Sequence, residues 1–273
     1  LGILIKLLIF PFNVKLIWNI RCSKMNFHYS GGLTKIIFII LSRLSFLPNY
    51  ISYNSYDGKK FHESKGYKNK NWFYLPNGID LNKWKRNKSL KRITKKKFNF
   101  KKNDFIVSMI ARNDNQKNFD LFYKISKSMN NHKEIKFVIF GKGTENLNFD
   151  KNLKNLFIYF FYENIYEIYN FVDLNVLISH GEGTPNSIIE SMSLGTQSIA
   201  NNVGDIKLLI NNPAYLINNK NYKKIVELIV YYKNLDKNQK IINRIKNKNF
   251  IKNNFSSYIS YNKYDKLIRM NYR

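Results

Sequence analysis

Two glutamates with seven residues between them, Glu182 and Glu190, stand in the run EGTPNSIIE. Glu182 lies in a polar turn bracketed by Gly181 and Gly183. The turn follows a short apolar run, Leu174 to Ile178, which has the length and composition of a buried strand. Thr184 and Pro185 come next, a hydroxyl suited to a helix N-cap and a proline suited to the first helical position. Ile188, Ile189, Met192 and Leu194 give a short helix its apolar face, Gly195 ends it, and Gln197 to Val203 reads as the following strand. Asn186 and Glu190 are one turn apart and share a helical face. Strand, loop, helix, strand is the unit of a parallel sheet, and open sheets of this kind bind ligands beyond the carboxyl ends of their strands. Glu182 is predicted at such an end. The free amides at the helix start, from Gly183, Thr184, Asn186 and Ser187 but not Pro185, favour an anion such as phosphate. Two carboxylates flanking that anion site suit the hydroxyls of a sugar and a ribose on either side of a diphosphate.

Arg112 and Lys117 lie five residues apart in RNDNQKN, after the predicted strand Phe105–Ala111. A guanidinium binds phosphate oxygens in pairs, and an ammonium adds a point charge, so two cations on one loop suit a diphosphate. By residue type alone they are equally two solvated cations among 46 Lys and Arg. Gly141 and Gly143 follow the predicted strand Ile135–Phe140 and would let backbone approach a nucleotide, although G-x-G also serves as an ordinary turn. The glutamates also admit a glycosidase acid and nucleophile, which in retaining enzymes lie ~5 Å apart. The phosphate-binding features beside them argue against a simple hydrolase. His62 reads as structural, and His180 sits beside the glutamate loop with no assigned role. No cluster of His, Cys and carboxylates has the spacing of a metal site.

E-x7-E in this setting, with a small residue and glycine after Glu190, a strand, and then the turn NVGD, resembles the signature of retaining glycosyltransferase family 4, the group 1 glycosyltransferases. The resemblance implies the GT-B fold, an α/β arrangement of two Rossmann-like doubly wound parallel-sheet domains. It implies three catalytic residues. Arg112 and Lys117 would neutralise the leaving nucleoside diphosphate, and Glu182 would contact the transferred sugar. Donor binding would fall to Glu190 on the ribose, with Gly183, Thr184, Pro185, Asn186, Ser187, Gly141 and Gly143. The reaction implied is sugar transfer from a nucleoside-diphosphate sugar to an acceptor hydroxyl with retention, with no metal and no cofactor beyond that donor. The acceptor would be a saccharide or lipid-linked intermediate of cell-surface polysaccharide or lipopolysaccharide assembly.

The elements that must position these residues form the expected domains. WNIRCS, SYNS with His62 and Gly66-Tyr67, and PNGID resemble the later half of the family's N-terminal domain. Residues 1–84 are therefore expected to be a partial acceptor-side domain. The family's opening strand and glycine-rich loop have no counterpart here, so this domain is expected to be truncated and to expose sheet edge and apolar surface. Its expected elements are a helix to about Ile9, a turn at Pro11, a strand Val14–Ile20, a helix Leu33–Phe46, a strand Tyr50–Tyr53, a helix Tyr56–Lys65 and a strand Trp72–Leu75. Residues 85–103, polar and basic, read as a solvated linker with some helix. Residues 104–250 form the donor-binding domain, with further strands Leu156–Phe161 and Ala214–Ile217 and helices Phe119–Met129, Tyr166–Val172 and Tyr222–Lys233. Residues 251–273 provide a last helix, Phe255–Arg269, that crosses back to the first domain.

Hydrophobic residues make up 44% of the 273 positions, which excludes global disorder. The formal net charge of +28 points to nucleic acid, to acidic membrane lipids, or to compositional drift in a chain crowded with Lys and Asn. Lys and Asn recur in every segment instead of forming one stripe, which favours drift. An acidic membrane surface remains an expected partner, and nucleic acid is not expected as one. A single cysteine, Cys22, excludes an internal disulfide and suits a reducing compartment. The apolar opening is broken by Lys6, Pro11, Asn13 and Lys15, so it makes a poor transmembrane span. The expected location is cytoplasmic, peripheral on the inner face of the membrane. Three other readings stay open: a donor-binding remnant without turnover, a basic nucleic-acid-binding protein, and a GT-B-like phosphorylase or epimerase.

Overall fold

The computed structural model describes residues 15–22, 31–150, 152–160, 162–218 and 221–270; the helix expected to Ile9 and the turn at Pro11 lie outside them. Among the described residues the first sheet has three strands, β1 (Ile17–Ile20), β2 (Tyr50–Tyr53) and β3 (Trp72–Tyr74), all parallel and in sequence order. Helices α1 (Gly32–Arg43) and α2 (Tyr56–Ser64) cross between them. α1 stops short of the expected Phe46 because the chain must turn into β2. Ser45 bonds back to the Ser42 carbonyl at 2.7 Å and accepts the Lys68 amide at 2.7 Å, which commits these residues to the turn. Phe38, Ile51, Tyr53 and Tyr67 form a small core. The opposite side of α1 exposes Leu33, Ile36, Ile37 and Ile40. Among the described residues β1 has one strand neighbour.

The stretch expected as a solvated linker is packed. Helix α3 (Lys88–Lys97) lies against the second domain. Lys91 pairs with Asp173, and Lys95 is buried, donating to the carbonyls of Lys102 at 3.2 Å and Asp104 at 2.5 Å. Phe100 is buried with Phe140 and Phe171, with Phe98 stacked beside them. A lysine stem covers apolar surface while its ammonium finds carbonyl oxygens, so a polar composition did not mean a solvated helix.

The second sheet holds β4 (Phe105–Ile110), β5 (Ile135–Phe140), β6 (Leu156–Tyr159), β7 (Leu174–Leu177), β8 (Gln197–Asn201) and β9 (Leu216–Ile217). They are parallel, in the order β6-β5-β4-β7-β8-β9. Strand side chains alternate between faces. Val107, Met109, Phe137 and Ile139 enter one core, and Ile106, Ile110, Val138 and Phe140 enter the other. Burial on both faces is why these strands read as continuous apolar runs. Helices α4 (Phe119–Ser128), α5 (Ile165–Phe171), α6 (Asn186–Ser193) and α7 (Tyr222–Asn234) cover the sheet, and α8 (Lys237–Phe255) and α9 (Ser257–Arg269) complete the chain. Element ends otherwise fall within a few residues of those expected, with Phe161 outside the described residues.

The chain returns to the first domain at the break between α8 and α9. Ile79 donates to the Phe255 carbonyl at 2.8 Å, Ser257 donates to the Ile79 carbonyl at 2.9 Å, and Ser260 Oγ donates to the Pro76 carbonyl at 2.9 Å. Gly78 allows this approach, since a Cβ there would lie 2.9 Å from Ser257 Cα.

Candidate functional site

The strand order of the second sheet runs outward in one direction from β4 and in the other from β7. Loops leaving these two neighbours diverge, which opens a crevice beyond their carboxyl ends. Lys117 comes from the loop after β4 and Glu182 from the loop after β7, and Lys117 Nζ donates to Glu182 Oε1. Ser179 Oγ donates to the same oxygen at 2.5 Å, and the Ser179 carbonyl accepts from Asn201 Nδ2 at 3.0 Å. Glu182 is buried, 8% exposed, and Lys117 is half-buried. The two loops are also joined through backbone, His180 N–H to the Gln116 carbonyl at 2.7 Å. A carboxylate removed from water needs such donors, and here it has two on one oxygen.

Arg112, on the Lys117 loop, is exposed and makes no ion pair among the described residues. Gly141 packs its backbone against that loop: a Cβ at Gly141 would lie 1.8 Å from the Ala111 carbonyl oxygen. Gly143 has φ +83, a conformation that glycine adopts without strain. Asn113 fixes the junction, its N–H donating to the Lys142 carbonyl and its Nδ2 to the Gly143 carbonyl, both at 2.9 Å. The structure therefore brings the Arg112 and Gly141 loops together beside the Lys117–Glu182 pair.

Helix α6 begins one residue later than expected. Pro185 is its cap residue, Asn186 its first helical residue, and no side chain caps it. Thr184 is not the N-cap; its hydroxyl donates to the Asn54 carbonyl of the first domain at 2.6 Å. A cross-domain acceptor in reach has displaced the local cap. Asn186 is exposed, yet its side-chain oxygen accepts from Asn77 Nδ2 at 2.7 Å. Gly183 and Ser187 are half-buried at the same end.

Glu190 is half-buried one turn along α6. Burial raises its carboxyl above the usual range, and the neighbouring Tyr169 hydroxyl partly offsets this. Tyr169 is itself fully buried, which pushes its phenol far up, with the Glu190 charge adding to the effect. His62 is buried, with Nδ1 2.7 Å from the Gly58 carbonyl, and burial lowers its basicity. Among the described residues no three His, Cys, Asp or Glu side chains come together in a way that could hold a metal ion.

Sequence reasoning passed over Asn77, which ties the domains at this site. Its Nδ2 also donates to the Thr184 carbonyl at 3.1 Å, and its Oδ1 accepts from Arg21 Nη2 at 2.7 Å and Asn54 Nδ2 at 3.3 Å. The signal available was PNGID itself, whose Asn-Gly reads as a turn. Ser179 and Asn201 carried no signal, since a serine in a polar loop and an asparagine at the end of a strand are ordinary.

The family model described as glycosyl transferases group 1 matches residues 91–254, more than half of the chain. The Escherichia coli UDP-Gal:alpha-D-GlcNAc-diphosphoundecaprenol alpha-1,3-galactosyltransferase is 31% identical over 148 residues, which cover 50% of this chain and 38% of that protein. The matched stretch is thus well under two thirds of that relative's length. Among solved structures, Anabaena Alr3699/HepE in complex with UDP and glucose superposes with a TM-score of 0.80 at 14% identity, covering 93% of this chain and 71% of that one. The glycosyltransferase from Rickettsia africae ESF-5 gives 0.77 at 17% identity, covering 100% and 80%. WaaG, a glycosyltransferase involved in lipopolysaccharide biosynthesis, gives 0.69 at 11% identity, covering 88% and 72%. The fold that these likenesses share is the GT-B type.

Proposed function

The chain belongs to the group 1 glycosyl transferases, and from that premise we propose that it binds a UDP-sugar in the crevice between β4 and β7 and transfers the sugar, with retention, to an acceptor hydroxyl. The observation that carries this reading is the Lys117–Glu182 pair at the point where the strand order reverses, with Arg112 on the same loop. In this reading Lys117 and Arg112 face the diphosphate, and Glu182 Oε2 accepts a sugar hydroxyl while Oε1 stays on Lys117 and Ser179. Glu190 binds the ribose hydroxyls. The half-buried first turn of α6 lends its amides, with the backbone of Gly141 and Gly143 against the nucleotide.

The bond from C1 to the phosphate oxygen breaks with its electron pair on UDP, and the acceptor oxygen bonds to C1 on the same face. The acceptor proton passes to a phosphate oxygen. The chain supplies position and charge stabilisation, and it supplies no nucleophile. UDP as the nucleotide is supported by the E. coli relative, named for UDP-Gal, and by Alr3699/HepE, solved with UDP. A lipid-linked saccharide acceptor, and hence a place on the inner face of a membrane, is supported by the diphosphoundecaprenol in the relative's name. No described helix is long and apolar enough to cross a membrane.

Isothermal titration with UDP tests the site. K117A and E190A are each expected to weaken binding by about 100-fold, the loss of charge-assisted and buried polar contacts of roughly 1.5–3 kcal/mol each. Wild-type affinity in both variants refutes the assignment. Transfer from radiolabelled UDP-hexoses then tests turnover; UDP binding with no transfer or donor hydrolysis would leave a binding protein.

A further inference from the structure

Asp205 joins the site to the first domain through a contact that the proposed chemistry does not use. It is buried, 4% exposed. Its Oδ2 accepts the Tyr56 N–H at 2.5 Å and its Oδ1 the Asp57 N–H at 3.1 Å. These are the first two residues of α2, and the third, Gly58, donates to Ser55 Oγ at 3.0 Å. A carboxylate of the second domain thus takes amides that α2 cannot satisfy internally, at the end of the helix where negative charge is favoured.

The other side of the same turn presses on Glu182. Gly204 has φ +55, and a Cβ there would lie 1.9 Å from the Glu182 carbonyl oxygen. The two backbones touch with no room for a side chain, so Glu182 cannot shift without displacing the turn that carries Asp205. Thr184, two residues after Glu182, donates to the Asn54 carbonyl at 2.6 Å. Glu182 is therefore tied to one first-domain stretch, residues 54–57, by two routes, through the Gly204 turn and through Thr184.

We propose that Asp205 is a positioning residue: by holding the first turn of α2 it sets that turn in register with Glu182, so that donor occupancy and the Asp205–α2 contact are coupled. The donor half of this inference rests on the function proposed above. Coupling of this kind is reciprocal, so UDP bound in the second domain must tighten the α2 amides that Asp205 holds. A contact that merely adds stability would not carry that signal.

Hydrogen exchange read by mass spectrometry, on the full chain with and without UDP, tests the coupling. In the wild type, UDP is expected to slow exchange at Tyr56 and Asp57 by about 10-fold, within the usual range for coupled sites. D205A is expected to speed exchange at residues 56–57 and also at residues 179–184, and to abolish the UDP effect on α2. D205N keeps one acceptor oxygen on each amide in turn and is expected to fall between. S55A weakens the start of α2 without touching the bridge and is expected to leave residues 179–184 unchanged. If D205A frees α2 while residues 179–184 and the UDP effect stay as in the wild type, Asp205 is a cap only and the proposal fails. If UDP does not bind the wild type, the proposed function fails instead, and the comparison of unliganded D205A with unliganded wild type at residues 179–184 still decides the positioning role. Should D205A not fold, D205N supplies the same comparison.

Discussion

Lys117 and Glu182 form an ion pair across the reversal in strand order of the second sheet, each at the carboxyl end of its own strand. The side chains retain only 18% and 10% exposure, so the pair is held largely out of water. Breaking a buried pair strands the remaining charge, at roughly 3–5 kcal/mol for full burial. K117A is expected to cost somewhat less, about 2–3 kcal/mol in urea unfolding. Adding E182Q to K117A is expected to recover part of that loss, because no unpaired carboxylate remains. Strict additivity in the double-mutant cycle would mean that the pair does not interact.

Gly141 and Gly32 give opposite expectations for the same substitution. At Gly141 a Cβ would sit 1.8 Å from a backbone oxygen, so the loops after β4 and β5 must separate. G141A is expected to lose about 1–3 kcal/mol of stability and to weaken UDP binding. At Gly32, the first residue of α1, a Cβ meets nothing within 4 Å. G32A is expected to gain about 0.4–1 kcal/mol through a less flexible unfolded chain. Thermal unfolding of both variants checks the contrast, and equal effects would contradict it.

Asn77 makes four side-chain hydrogen bonds that cross or brace the domain boundary. N77A leaves the Arg21 guanidinium and the Thr184 carbonyl without that partner, at an expected cost of about 1–3 kcal/mol. N77D keeps acceptors for Arg21 and Asn54 but turns an oxygen toward the Thr184 carbonyl and Asn186 Oδ1. It is expected to be at least as damaging as N77A at neutral pH. Unfolding midpoints, with small-angle scattering for domain separation, provide the check. N77D behaving like the wild type would show that the donation to Thr184 and Asn186 carries no weight.

The pH dependence of stability follows from Glu190. Burial raises its folded-state carboxyl, whereas an unfolded-chain Glu titrates near about 4.3. Between those two values the folded state holds the proton more tightly. The contribution of Glu190 to stability is therefore largest below the unfolded value and is lost as pH rises through the folded one. E190Q has no such dependence. Its unfolding midpoint relative to wild type is expected to increase as pH climbs from about 4 through the raised carboxyl range, and then to level off. Parallel profiles for the two proteins across that range would remove burial as the governing effect.

Local rules carried most of the fold. The apolar runs that became β4, β5 and β7 are buried on both faces, so composition alone marks them. The order of strands and helices around EGTPNSIIE, and the two cations after β4, were legible for the same reason: each depends on neighbours within a few residues. Some helix was legible in the stretch that became α3, but its packing was not, because its lysines are satisfied by Asp173 and by carbonyls that only folding brings near. Thr184 looked like a cap and instead reaches Asn54. Asp205 looked like a turn residue and Asn77 had no reading of its own, yet both hold the domains together.

The sequence by itself determined which residue types are candidates for the chemistry and which strand each of them follows. Only the tertiary structure decided that Lys117 meets Glu182, 65 positions away, and that Asp205 meets Tyr56, 149 positions away. Periodicity and capping act over a turn or a strand. Contacts at those separations are set by the twist and strand order of two sheets packed into one molecule, and no local pattern encodes them.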